Sequence, residues 1–155
     1  NIKIEELLKN NFDFSKIKIG LVTSVFNQEI SQDLQSEVLK ELKKYDIKIK
    51  DQKYLREIYV PGVFELSQSA YHLAKTSQYD VIICLGVVIK GETKHDEYIS
   101  MSAGYGITQA SILTDTPIIF GVLTTNNIKQ AKERITNGSY YAKSALEMAI
   151  VNSSS

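Results

Sequence analysis

The sequence predicts an α/β fold, a three-layer sandwich in which a four-stranded parallel sheet is flanked by helices on both faces. Three observations predict it. Short apolar runs alternate four times with longer segments of helical spacing, which is the signature of successive βα units. The run Asp80-Val81-Ile82-Ile83-Cys84-Leu85-Gly86-Val87 is apolar on both of its alternating faces, as a central strand covered from both sides must be. The chain has 155 residues, 43% of them hydrophobic; at that size a compact domain buries roughly 68–70% of the surface its unfolded chain exposes, so one core suffices without disulfides or a structural metal.

The elements follow in order. The first strand is the run Ile17-Lys18-Ile19-Gly20-Leu21-Val22-Thr23, and the helix after it carries Leu34, Val38 and Leu42 four residues apart, one apolar stripe. Its polar face holds Asp33, Glu37, Lys40, Glu41, Lys43 and Lys44. A second strand ends at Ile58-Tyr59-Val60, is stopped by Pro61-Gly62, and leads to a helix with Phe64, Leu66, Ala70, Leu73 and Ala74. After the third strand, Tyr98, Met101, Ser102, Tyr105, Gln109 and Ile112 mark a helical face. The fourth strand, Pro117-Ile118-Ile119-Phe120-Gly121-Val122-Leu123, precedes a short helix from Asn127 to Arg134. A last helix turns Tyr141, Ala142, Ala145, Met148 and Ala149 inward. The expected organisation is an N-terminal arm over 1–16, one domain over 17–150 and a disordered Ser-rich tail over 151–155. The arm, with Leu7, Leu8, Phe12 and Phe14, either packs on a neighbouring chain or forms an N-terminal helical turn.

Composition narrows the function. Eighteen Lys and Arg balance eighteen Asp and Glu, which removes the basic excess that nucleic acid or an anionic membrane attracts. The longest apolar run, Val81 to Ile89, has nine residues, about half the length of a membrane span. One cysteine and no secretory pattern at the start make a reducing cytoplasm the expected compartment. Two histidines and one cysteine supply no motif of metal-ligand spacing. Small molecules and other protein chains remain as partners.

In an open parallel sheet, ligands bind beyond the carboxyl ends of the strands, and there the unusual residues gather. They are Phe26-Asn27, Val60-Pro61-Gly62-Val63-Phe64-Glu65, Val87 to His95, and Thr124-Thr125-Asn126-Asn127. Lys90-Gly91-Glu92-Thr93-Lys94-His95-Asp96 is the richest group. Its glycine permits close backbone approach, and Thr93 with Asp96 resembles a helix cap. The free amides of a helix start, with Lys90, Thr93 and Lys94, can receive a phosphate; an ordinary capped helix with two solvated lysines is the competing reading. His95, one turn into that helix, can exchange protons near neutral pH, since imidazole titrates near ~6.5. His72 falls far from the strand ends and reads as a surface or packing residue. Arg134 can hold a phosphate bidentately or belong to a solvated face with Lys132 and Glu133. Phe26 can stack on a planar heterocycle or plug the core. Glu65 can accept from hydroxyls or complement a helix dipole. Cys84 reads as a small buried hydrophobe.

Together, Phe26-Asn27, Val60 to Leu66, Leu85 to His95, Gly121 to Asn126 with Gln130-Ala131 and Glu133-Arg134, and Ala145 to Met148 resemble the 6,7-dimethyl-8-ribityllumazine synthases, in the family's order from about Ile17 to Met148. The resemblance implies a flavodoxin-like fold and pentamers with active sites between adjacent subunits. It implies the penultimate step of riboflavin biosynthesis, in which 5-amino-6-(D-ribitylamino)uracil and 3,4-dihydroxy-2-butanone 4-phosphate condense with loss of phosphate and water, without metal or organic cofactor. By position it implies that Phe26 stacks on the pyrimidine while Asn27, Val63, Phe64 and Glu65 surround the ribityl chain. Backbone groups of Val87, Val88 and Ile89 would meet the pyrimidine edge, Glu92 through its backbone and Thr93 would meet the phosphate with Arg134 completing that site, and Phe120 would come from a neighbouring chain. His95 would transfer protons. Three positions depart from the family: Lys90 stands where Arg is common, the stretch Ile135 to Ser139 is short, and Asn137 falls near a family lysine. An archaeal-type riboflavin synthase shares the architecture, and a non-catalytic flavin-binding or shell-forming protein would retain the pocket.

Overall fold

Runs of Val, Ile and Leu bounded by turns pair side by side because each buries a face only against its neighbours and the helices that return over them. In the computed structural model, which describes residues 6, 7 and 12–153, these runs are β1 (Ile19–Ser24), β2 (Leu55–Val60), β3 (Val81–Ile89) and β4 (Ile118–Thr125). Every pairing is parallel and the order is β2-β1-β3-β4. The helices are α1 (Gln28–Lys43), α2 (Leu66–Ala74), α3 (Asp96–Thr114), α4 (Ile128–Glu133) and α5 (Asn137–Ser153), with short 3-10 turns at Phe14–Lys16 and Val63–Glu65. This is the expected flavodoxin-like sandwich.

The sheet divides two cores by the alternation of its side chains. Ile83, Leu85 and Val87 of β3 face α1 and α5, where Leu34, Val38, Leu42 and Leu146 are fully buried. Ile82, Cys84 and Val88 face α2 and α3, against Leu66, Ala70 and Ile107. All nine positions of β3 are buried, as its reading as a central strand requires. Burial pushes the Cys84 thiol up to about 12, so it packs as a hydrophobe and offers no thiolate. Among the described residues no helix is long and apolar enough to cross a membrane.

Several local expectations change. The large apolar face of α3 points outward: Tyr98, Met101, Tyr105 and Ile112 are 63–71% exposed, while Ala103, Ile107 and Ala110 face the sheet. The small residues face inward because α3 lies close to α2; a Cβ on Gly106 would stand 2.7 Å from Ser67 Oγ. In α5, Leu146 is buried and Met148 is exposed. Glu41 is buried rather than solvated, because Lys44 at 3.1 Å and Lys143 of α5 at 3.7 Å neutralise it between the two helices. α5 begins at Asn137, inside the stretch read as a loop, since Gly138 lets it rest on α1; a Cβ there would meet Leu34 O at 2.8 Å. α5 also runs on through Ser153, beyond the expected start of the tail at 151, with Ser153 Oγ donating to Ile150 O. Phe14, counted in the arm, is buried edge-on against Tyr45. The rest of the arm call, 1–5 and 8–11, and the tail residues 154–155 lie outside the described residues.

Candidate active site

β1 connects outward to β2 on one side, and its other neighbour β3 connects outward to β4. The loops leaving β1 and β3 therefore diverge, and a crevice opens between them. It is a cavity of about 300 Å³ beyond the strand ends. From β1 comes Phe26; from the turn after β2, Val63, Phe64 and Glu65; from β3 and its loop, Val87, Val88, Ile89, Glu92 and Thr93. Three chain segments separated by tens of residues thus meet in one place. Pro61 and Gly62 complete the wall, as do Asp96 and Ile99 of the first turn of α3. Ile99 escaped the sequence reading; its signal was an apolar residue one turn inside a helix start.

Gly86 makes this geometry possible. A Cβ there would lie 2.6 Å from Val63 Cγ2 and 2.8 Å from Ser24 Oγ, so only a residue without a side chain lets the Val63–Glu65 turn settle on β3. Gly86→Ala is expected to lower the unfolding free energy by about 1–3 kcal/mol, the usual cost of overpacking, read as a lower urea midpoint at unchanged slope. An unchanged midpoint would show that the turn is free to move.

The walls are apolar and aromatic. Phe26 and Phe64 are each half exposed, and Phe64 stacks on Tyr98 with ring centroids 6.4 Å apart. That leaves flat ring faces for a planar ligand. Polar groups sit at the rim. Asn27 is half-buried beside the cavity and donates to Glu92 Oε2 at 3.0 Å and Val87 O at 3.4 Å.

The loop from Lys90 to His95 is folded by Asp96. Its Oδ2 accepts from Gly91 N at 2.8 Å, and Gly91 takes the left-handed φ of +86° that a glycine tolerates. The amides of Gly91 and Glu97, with Lys90 nearby, hold the Asp96 carboxyl below the usual aspartate range. Thr93 Oγ1 accepts from His95 N. The backbone N–H groups of Thr93 and Lys94 have no partner among the described residues, which equips this loop to receive an anion. The expected Thr93–Asp96 cap does not form. Asp96 instead opens α3, and His95 precedes the helix rather than lying one turn inside it. His95 is exposed and does not itself line the cavity, although Thr93 and Asp96, which flank it along the chain, do.

Two expected residues lie elsewhere. Phe120 is 40% exposed on β4, toward Gly104 of α3. Arg134 ends α4, exposed, with Nη1 donating to Thr124 O at 3.4 Å. Neither lines the cavity. Lys132 pairs with Glu29 at 3.7 Å, so the charged face beside Arg134 is partly spent on α1. His72 is exposed on α2.

A comparison with protein-family models matches residues 16–153 to 6,7-dimethyl-8-ribityllumazine synthase. The chain belongs to the lumazine synthase family. That makes it a transferase of riboflavin biosynthesis. The match spans β1 to β4 and α1 to α5, so every segment that builds the cavity lies inside the lumazine synthase region.

Proposed function

We propose that the chain condenses 5-amino-6-(D-ribitylamino)uracil with 3,4-dihydroxy-2-butanone 4-phosphate to give 6,7-dimethyl-8-ribityllumazine, phosphate and water. The observation that carries this reading is the single cavity in which an aromatic wall, a polar rim and a loop with free amides converge. Phe26 stacks on the pyrimidine and the Val87–Ile89 backbone meets its edge. Asn27 and the Val63–Glu65 turn surround the ribityl chain. The Thr93 side chain and the unengaged amides of Thr93 and Lys94 receive the phosphate, since an N–H complements a charged oxygen better than a neutral one. Imine formation, phosphate elimination and ring closure all move protons, and the exposed imidazole of His95, next along the chain to the wall residue Asp96, carries them. Holding two substrates in register supplies much of the remaining acceleration.

Phe120 and Arg134 lie outside the cavity of their own chain and the outer face of α3 is apolar. Both features support a homopentamer, or a multiple of it, in which an adjacent copy brings these two residues to the site. Incubation with both substrates should yield the lumazine, seen by its absorbance and fluorescence, and the sedimentation mass should be that of five chains or a multiple. Absence of turnover by assembled protein overturns the reading; riboflavin formed from lumazine alone would point to a riboflavin synthase.

A further inference from the structure

Asn27 stands at the start of α1 without capping it. Its backbone is left-handed, with φ 60° and ψ 48°, and its side chain makes no capping hydrogen bond. The amide instead spans the rim to two partners on the other side, Val87 O and Glu92 Oε2. A carbonyl and an ionised carboxylate can only accept, so chemistry alone requires the NH₂ side of the amide to face them. Both hydrogens are then engaged, and Oδ1, an acceptor, is left for an incoming group. Glu92 holds this arrangement from a particular position: it lines both the cavity and the shallow groove of Lys90, Asn126 and Lys129 behind it.

We infer that Glu92 is a positioning residue that sets the specificity of the site, fixing the Asn27 amide so that it presents an acceptor and thereby selects a heterocycle whose side chain carries hydroxyl donors. The inference rests on the proposed binding of the ribityl chain beside Asn27. Without the Glu92 carboxylate the amide is held only by the longer, 3.4 Å bond to Val87 O, and a ligand hydroxyl must then order it on binding, which weakens the contact. The hydrogen bond at stake is worth about a two- to tenfold difference in affinity.

Riboflavin and lumiflavin, the same ring system with and without the ribityl chain, are the probes, and their affinities are read by flavin fluorescence. Wild type should bind riboflavin more tightly by about two- to tenfold. Glu92→Ala should erase most of that preference, and Asn27→Asp should do so more severely by placing two carboxylates about 3 Å apart. Combining Asn27→Asp with Glu92→Gln reverses donor and acceptor across the Glu92 bond while Val87 O stays an acceptor, so the preference should return in part. Thermal midpoints report folding separately. In turnover assays, Asn27→Asp should raise the KM for the ribityl pyrimidine and leave that for the butanone phosphate within about twofold. The inference is overturned if wild type shows no riboflavin preference, if Glu92→Ala retains it, or if the double variant is no better than Asn27→Asp. Lack of lumazine synthesis by wild type overturns the proposed function instead, because the flavin affinity ratio does not depend on turnover.

Discussion

His95→Ala is expected to lower kcat by about 10²-fold, the lower end of the range for a positioned acid or base, with an equal fall in kcat/KM. The residue lies between Thr93 and Asp96, both in the cavity wall, and its side chain makes no capping bond to α3. Removing the imidazole therefore takes away a proton carrier without loosening the loop, which Asp96 holds through Gly91 and Glu97. The loss stays at the low end because approximation of two substrates survives the substitution. Steady-state kinetics with both substrates check this, and a thermal midpoint equal to that of wild type shows the fold intact. A raised KM with kcat unchanged would make His95 a binding residue.

Arg134→Ala should raise the KM for the butanone phosphate about 10- to 100-fold, the worth of a charge-assisted hydrogen bond to a buried anion, and change that for the pyrimidine little. Within its own chain the guanidinium has one long bond, to Thr124 O, so its loss costs the fold little. Hybrid oligomers separate the two ways it can act. If Arg134 serves the cavity of an adjacent copy, co-assembling Arg134→Ala chains with His95→Ala chains creates sites with both groups present, and activity returns above the mean of the parents. No recovery in verified hybrids would mean that each chain supplies its own arginine, which must then swing toward Thr93. Equal effects on the two KM values would argue that Arg134 is structural.

The strands β1 to β4, the helices α1 to α5 and the sheet edge that bears the cavity were legible because each rests on local patterning. Leu34, Val38 and Leu42 fall on one stripe and are buried together; Phe26, Val63 to Glu65, Val87 to Ile89, Glu92 and Thr93 fall after strand ends and meet at one cavity. The orientation of α3 was not legible. The spacing of Tyr98, Met101, Tyr105 and Ile112 marks a face without telling inward from outward, and close approach to Ser67 at Gly106 turns the small residues inward. The burial of Glu41 was equally hidden, since the Lys143 that compensates it lies about a hundred residues away.

The order of strands and helices, and the set of residues beyond the strand ends, follow from composition and spacing along the chain, because hydrophobic period and turn chemistry act over a few residues. Which of those residues share a wall depends on packing between distant segments. Gly86 admits the Val63 turn, Asp96 folds the Gly91 loop and moves His95 ahead of the helix, and Asn27 reaches across to Glu92. The same packing leaves Phe120 and Arg134 outside the cavity, because Phe120 lies on the edge strand β4 and Arg134 beyond it, while the crevice opens between β1 and β3, where the direction of the connections reverses.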